Sequence, residues 1–453
     1  MSRLLVLGGG PAGLAAAWLT ARQGHDVELI ERAPHLGGMA ASFDVAGVRV
    51  DHGSHRLHRA TPPRVLGELQ RLLGDDLQLR QRHGRLRLEG HWLDFPLQAP
   101  DLARHLPPGL AVELARDVIA APWRAPADDS FAALVTAGLG PTVANRFYLP
   151  YARKLFGVPV EELDGELARR RVPSRTATSI IKRLGGRRGS AGRTFFYPRH
   201  GFGQIPQALA EAAAAAGVAL RTGADVTAID LRPDGVTVHL TGGGRVDGDR
   251  LWSTIPTTAL ARLAGEPVDG AGLRYRAMAL VYLALDQPRY TAFDAHYLPD
   301  PSHPVSRLSE PKNYRDGPDP SGRTVLCAEV PCDQGDDVWC AGADALAALV
   351  EDALAGEQLP PARPVDVAVR RLPTVYPVYR RGWAAQQDAL EAWAARHERL
   401  LVLGRQALFA HDNTHHALTM AWAAAACLRT DGSFDRDRWD GEREDFRAHV
   451  VVD

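Results

Sequence analysis

Lysine is almost missing from this chain of 453 residues: Lys154, Lys182 and Lys312 are the three it has, within a combined Lys and Arg count of 53. Arginine therefore carries nearly all the positive charge, a compositional skew that marks no single arginine as functional. Asp and Glu together number 54, so the formal charge is −1 and no net field draws the chain to nucleic acid or to an anionic membrane. Aromatic residues make up 7%, too few to interleave with basic residues as a nucleic-acid surface requires. Cysteine is scarce: Cys327, Cys332, Cys340 and Cys427 contain no C-x-x-C pair, which excludes a disulfide framework and points to reduced thiols and a cytoplasmic location. Long apolar runs are also lacking. Residues 3–21 have the hydropathy of a signal sequence, but glycines interrupt their centre and an acid closes the strand that follows, as in a folded element. Elsewhere no apolar run of about 18 residues occurs, so no membrane span is expected.

What is abundant is glycine and proline, 43 and 32 residues, in a chain otherwise of ordinary composition. That balance suits a loop-rich α/β protein, and the length predicts two or three domains. Residues 3–7 read as a buried strand, 14–23 as a helix ended by Gly24, and 26–30 as a second strand closing at Glu31. Residues 34–60 read as loop and 85–97 as a hairpin turning at Glu89-Gly90. Residues 100–190 lack strand alternation and carry helical patches at 110–120 and 129–138, which predicts a mainly helical insertion. A new unit begins at 194–197, followed by a helix at 204–216 and strands at 218–222, 225–231, 235–240 and 250–255. Strands at 273–285 and 323–330, a helix at 342–355, a strand at 399–403 and a helix at 414–428 complete the reading. No internal repeat is present.

The first turn carries chemistry. Gly8-x-Gly10-x-x-Gly13 lies between a strand and a helix, with Pro11 and Ala12 opening the helix. In such a turn the first glycine permits the bend, the second lets backbone approach a pyrophosphate, and the third lets helix and strand pack closely. The free N–H groups and positive dipole end of the helix then face the phosphates. Glu31, at the end of the second strand, is placed to accept from a ribose hydroxyl, and its charge disfavours a 2′-phosphate. The complete strand–turn–helix–strand–acid unit predicts a dinucleotide site.

Glu31-Arg32-x5-Gly37-Gly38-Met39-Ala40 resembles the second glycine pair of glutathione-reductase-type FAD folds. From there the chain resembles the amine oxidase and protoporphyrinogen oxidase-like FAD proteins, including the related UDP-galactopyranose mutases. The resemblance runs nearly its whole length. Asp51-His52-Gly53-Ser54-His55 looks like the segment beside the flavin in that family, and Tyr151-x-x-Lys154-x-x-Gly157 like a signature of its helical insertion. Tyr197-Pro198-x-x-Gly201-x-Gly203 is similar to its strand-to-helix turn, and Val226 matches the strand residue whose backbone meets the adenine. Ser306-Arg307-Leu308-Ser309-Glu310-Pro311-Lys312 resembles a segment of the mutases. Gly404-Arg405 with Asn413, Thr414, His415 and His416 resembles the closing motif that brings a helix N-terminus to the flavin, with His416 where the family often has an acid. The mutases' paired tyrosines, which hold the diphosphate, have no match here.

The resemblance implies an α/β fold with a Rossmann-like, discontinuous FAD-binding domain at 1–60, 194–260 and 395–435. A mixed-sheet substrate domain with its helical insertion fills 61–193 and 261–394. It implies FAD held noncovalently, since no cysteine lies near the flavin motifs, and a small-molecule substrate between the domains. His55 is the first candidate for a general base, followed by His416 and His415, because imidazole titrates near neutrality. Arg307 suits a phosphate or carboxylate by its bidentate fork, against the alternative of a surface ion pair with Glu310. Arg175, Arg199 and Arg405 stand behind it, and Tyr376 is expected as an aromatic wall over the flavin. His411, His415 and His416 have a spacing that imidazole metal ligands also show. No cysteine or carboxylate cluster accompanies them, so no metal is expected. No serine sits in a G-x-S-x-G elbow. Three functions stay open: hydride removal from an organic substrate, isomerisation of a nucleotide sugar with reduced flavin, and flavin binding without turnover.

Overall fold

The run Arg3–Leu7 is apolar after its first residue and forms a strand buried on both faces. Such a strand belongs at the centre of a parallel sheet covered on both sides. The computed structural model, which describes residues 2–95, 101, 104–172, 194–267 and 272–451, places it there. The five-stranded sheet runs Ala219–Arg221, Asp26–Ile30, Arg3–Leu7, Arg250–Ser253, Leu400–Val402, with every neighbouring pair parallel. Leu4 and Val6 face a layer of three alanine-rich helices, Pro11–Ala21, Gln204–Ala215 and Thr414–Cys427. Leu5 and Leu7 face the other way, onto Ile229, Val236 and Val238 of a three-stranded antiparallel sheet. The period-two alternation of one pentapeptide thus feeds two separate cores.

A second, seven-stranded sheet has the order Asp366–Val378, Arg274–Leu285, Thr324–Cys332, Arg307–Ser309, Ala295–Tyr297, Gly84–Leu88, His91–Phe95. It is mixed: the pairing of Ala295–Tyr297 with Gly84–Leu88 is parallel and the others are antiparallel. Its last hairpin turns at Glu89-Gly90, both at positive φ, as the sequence predicts. Residues 104–172 hold the helices Pro108–Ala120, Phe131–Leu139, Leu149–Phe156 and Gly165–Arg171 and, among the described residues, no strand longer than an isolated bridge.

The segment expected as loop at 34–60 is partly ordered. Ser42–Val45 and Val48–Asp51 pair as a hairpin, because Ala46 and Gly47 both take positive φ and close a two-residue turn. Asp51 anchors that hairpin, accepting from Ser42 Oγ at 2.5 Å, from Phe202 N at 3.0 Å and from the Tyr197 hydroxyl. The strand Asp366–Val378 and the helices Pro63–Leu73 and Trp383–Ala395 also go beyond the sequence reading.

At Gly13 a Cβ would lie 2.0 Å from the Gly8 carbonyl oxygen, a backbone atom that cannot yield. Gly13→Ala is therefore expected to force helix and strand apart, costing about 1–3 kcal/mol and lowering the thermal midpoint. An unchanged melting temperature would show that the contact is not needed.

Candidate active site

The carboxyl ends of the parallel strands open onto a cleft of about 2000 Å³, part of it open to solvent. Gly8 (φ +100°) turns the chain at its floor, and a Cβ there would meet Thr254 Oγ1 at 2.3 Å. Gly10 differs: nothing lies within 4 Å of the position its Cβ would take. Its open side is the cleft, bordered by Pro11, Ala12 and the start of the helix Pro11–Ala21, whose first turn holds no acid. Gly37 and Gly38, both at positive φ, press a second loop onto this turn. Gly37 N donates to Gly9 O at 2.7 Å, and a Cβ on Gly38 would approach Gly10 Cα to 3.2 Å. Glu31 lines the same end, its carboxylate accepting from Gly9 N at 2.6 Å and Ala33 N at 2.7 Å. A second helix N-terminus, that of Thr414–Cys427 with Asn413 as N-cap, faces the cleft from the far side, and Met39 and Ala40 line the wall between. Gly404 (φ +91°) makes this possible, since a Cβ there would stand 3.2 Å from Ala12 Cβ. Two helix dipoles thus aim positive ends into one cleft whose floor is shaped for backbone contact. This cradle fits an extended dinucleotide.

The remaining wall carries reactive side chains. Arg307 is held bidentate by Glu329, Nε to Oε1 at 2.9 Å and an Nη to Oε2 at 2.8 Å, and Glu329 also accepts from Ser54 N at 2.9 Å. The surface pair with Glu310 does not form. Glu310 is buried and accepts from Tyr290 N, Thr291 N and the Thr324 hydroxyl. His55 Nε2 lies 3.0 Å from His52 O, and the ring stacks on Phe202 with centroids 5.0 Å apart. Tyr376 faces the cleft between the guanidinium groups of Arg171 and Arg405, 5.2 and 5.7 Å from its ring centroid, and lies nearly parallel to His411. Arg56, Arg82, Arg171, Arg307 and Arg405 line the cleft against Glu31, Glu329 and Asp412, so its interior favours anions.

Most expected residues converge here: Gly8, Gly10, Pro11, Ala12, Glu31, Gly38, Met39, Ala40, His55, Arg307, Tyr376, Gly404, Arg405, Asn413 and Thr414 line one cleft. Gly13 and Gly37 support it from behind. Arg32 is exposed and Val226 sits in the antiparallel strand Val226–Leu231, both outside the lining. His415 and His416 are buried behind the second helix N-terminus. His415 stacks against His58, while His416 Nδ1 accepts from Asn413 N at 3.2 Å in a capping box. Arg199 pairs with Asp76 away from the cleft, and Arg175 lies outside the described residues. Sequence reasoning missed Glu329, although an acid inside the apolar strand Thr324–Cys332 was a usable signal. It also passed over Arg56, which is held by Asp294 and the Tyr314 hydroxyl.

Residues 11–428 match the model of the family "Flavin containing amine oxidoreductase", and the chain belongs to that family. Among individual proteins it is similar to an uncharacterized protein of Mycobacterium tuberculosis (strain ATCC 25618 / H37Rv), 30% identical over 321 residues covering 58% of this chain. The same match is found in Mycobacterium bovis (strain ATCC BAA-935 / AF2122/97), and the chain spans about half, 56%, of the length of these curated relatives. The crystal structure of reduced UDP-galactopyranose mutase shares the fold at a TM-score of 0.82 and 20% identity, covering 100% of both chains. A putative protoporphyrinogen oxidase from Exiguobacterium sp. 255-15 follows at 0.72 and 18%, covering 94% of this chain and 99% of its own. Putrescine oxidase bound to putrescine stands at 0.62 and 16%, covering 94% and 98%. Among the described residues no helix is long and apolar enough to cross a membrane.

Burial disfavours the charged form of His52, His55, His411 and His415. It pushes His52 down to about 4 and His415 down to about 3, and it lowers His55 as well. His411 is lowered by burial first and then by the charges of Arg171 and Arg405. Between pH 6.5 and 4 the unfolded chain therefore binds protons that the folded chain refuses. Stability should fall as pH drops through that window, by at most about 1.4 kcal/mol per pH unit for each such histidine. Urea denaturation at stepped pH checks this; a flat midpoint from pH 7 to 5 would contradict neutral, buried imidazoles.

Proposed function

We propose that this chain is an FAD-dependent oxidoreductase that removes hydride from a small organic substrate at a C–N, C–O or C–C bond. One observation carries the reading. The cradle formed by Gly10, Glu31 and two helix N-termini continues, within a single cleft, into a compartment walled by His55, Arg307 and Tyr376. When bound, FAD would supply the hydride acceptor. Gly8, Gly10, Pro11, Ala12 and Glu31 would hold the adenosine and pyrophosphate end, and Gly38, Met39, Ala40, Gly404, Arg405, Asn413 and Thr414 the flavin end. The binding is proposed as noncovalent. Arg307 would orient an anionic or polar group of the substrate, and Tyr376 would flank it. His55, kept neutral by burial, can take a proton. The separate parallel and mixed sheets favour the two-domain division at 1–60, 194–260 and 395–435 against 61–193 and 261–394, while Pro63–Leu73, packed in the core of the first part, and Leu77–Gln81, paired with Thr194–Pro198, belong with the first part. A cytoplasmic location fits the unpaired cysteines.

A second reading has its own support. The Ser306–Lys312 segment and the full-length likeness to reduced UDP-galactopyranose mutase favour a non-redox isomerisation of a nucleotide sugar that needs reduced flavin. Anaerobic addition of amines, nucleotide sugars and polycyclic precursors to the oxidised protein separates the two. Bleaching by one class supports the oxidoreductase; isomer formation only after dithionite supports the mutase.

Two variants test the residues. Gly10→Trp has room to fold but fills the cradle, so the purified protein should be colourless with a near-normal circular dichroism spectrum; a fully yellow variant would overturn the placement. Arg307→Ala strands Glu329, a loss of about 3–5 kcal/mol. Arg307→Lys keeps the charge and loses the fork, and should retain flavin while raising KM at least about tenfold, equivalent to 1.4 kcal/mol. An unchanged KM would remove Arg307 from substrate binding.

A further inference from the structure

Five arginines among the described residues line the main cleft, and their partners differ. Arg307 is neutralised by Glu329. Arg56 is neutralised by Asp294, with Nη2 donating to Oδ1 at 3.0 Å. Arg405 donates to the carbonyls of Val375 and Asp412, each at 2.8 Å. Arg171 flanks Tyr376. Arg82 stands apart. It donates no hydrogen bond and pairs with no acid among the described residues, and its Nε is buried without an acceptor. Its guanidinium carbon lies 5.4 Å from the centroid of the Phe95 ring. A buried guanidinium nitrogen without an acceptor is costly, so this corner of the cleft calls for an anion.

Backbone pairing builds the corner. Gln81, the residue before Arg82, pairs with Thr194, and the next residue, Phe195, pairs with His58. Thr194 lines the cleft with Arg82. Its Oγ1 accepts from an Arg59 Nη at 3.2 Å, which leaves its own O–H free to donate. Asp294 fixes the chain on the other side of Arg82, its Oδ2 accepting from His83 N at 3.0 Å. Because the same carboxylate holds Arg56, the charge of Arg82 stays uncompensated. Two rings separate Arg82 from Arg307. The Phe95 and Tyr297 centroids are 4.6 Å apart, and the Arg307 guanidinium carbon is 5.8 Å from the Tyr297 ring centroid.

We infer that Arg82, with the Thr194 hydroxyl, binds an oxyanion, a carboxylate or a phosphate, at the end of the substrate remote from Arg307. The inference rests on the reading of the cleft as an oxidoreductase active site and names the substrate class of that site. The substrate is an elongated amphipathic anion. Its charged end meets Arg82, and its apolar body lies between that corner and the compartment of His55 and Tyr376. A planar guanidinium suits either oxyanion through paired N–H donors. A cationic amine placed at this corner would instead meet an uncompensated positive charge.

The test titrates flavin-loaded protein by calorimetry with three probes that share one apolar body: 4-phenylbutyrate, 3-phenylpropyl phosphate and the neutral 4-phenylbutyramide. One of the anions should bind at least about tenfold more tightly than the amide, and which one does so tells carboxylate from phosphate. Arg82→Gln should abolish that preference and Arg82→Lys should keep part of it. Both variants should match the parent in flavin content and melting temperature, since Arg82 makes no hydrogen bond in the fold. Three results overturn the inference: neither anion binds the parent more tightly than the amide, Arg82→Gln keeps the full preference, or Arg82→Gln loses the flavin. Binding is read without turnover. A protein that prefers the anions through Arg82, yet is bleached by no substrate, keeps this site and loses the oxidoreductase reading.

Discussion

The contact between Gly13 and the Gly8 carbonyl is the constraint on which the rest depends. No side chain fits between the first helix and the first strand, so the helix axis is pinned to the strand end. That approach aims the helix N-terminus into the cleft and leaves Gly10 facing open space. The same closeness recurs on the far side, where Gly404 stands against Ala12 and brings the last strand and helix into place. The site is thus organised by three backbone approaches, at Gly13, Gly38 and Gly404, before any reactive side chain is considered.

Glu329 is the side-chain counterpart of those contacts. It sits in the mixed sheet, yet its carboxylate holds both Arg307 and the Ser54 N–H, so one buried acid locks the loop beside the cradle to the sheet that carries Arg307. A Cβ on Gly53 would meet Glu329 Oε1 at 3.3 Å, so that loop lies tight against it. Charge inside the cleft is therefore fixed by partners that a neutral net charge conceals: 53 basic and 54 acidic residues nearly cancel over the chain, while arginines dominate its interior space.

The legible parts of the sequence were those whose physics is local. The βαβ unit spans about thirty residues, and its glycines, apolar pentapeptides and terminal acid each carry a short-range meaning. The hairpin turning at Glu89-Gly90 and the helix read at 414–428 were readable for the same reason. The strand Asp366–Val378 was not, because Arg370, Arg371, Pro373 and Pro377 break the apolar alternation. Residues 42–51 read as loop because their turn depends on a positive φ at Ala46, an alanine and hence no turn signal. In the site, Glu329 owes its place to tertiary packing, 22 residues from Arg307. The histidines at 411–416 could be listed from sequence, but which of them face the cleft follows from helix phase and burial.

The parallel sheet has a consequence for how the chain must be made. Its central strand, residues 3–7, lies far in sequence from later members of the sheet: its neighbour on one side is residues 250–253, and the sheet is completed by residues 400–402. Made in chain order, that strand can pair with residues 26–30 early, but it waits through some 240 residues with one edge of unpaired backbone N–H and C=O groups uncovered. Closing such long loops is slow and leaves strand edges exposed to other chains. The fold that makes a precise cradle thus makes the newly synthesised protein a natural client for chaperones, and overexpression without them should favour inclusion bodies.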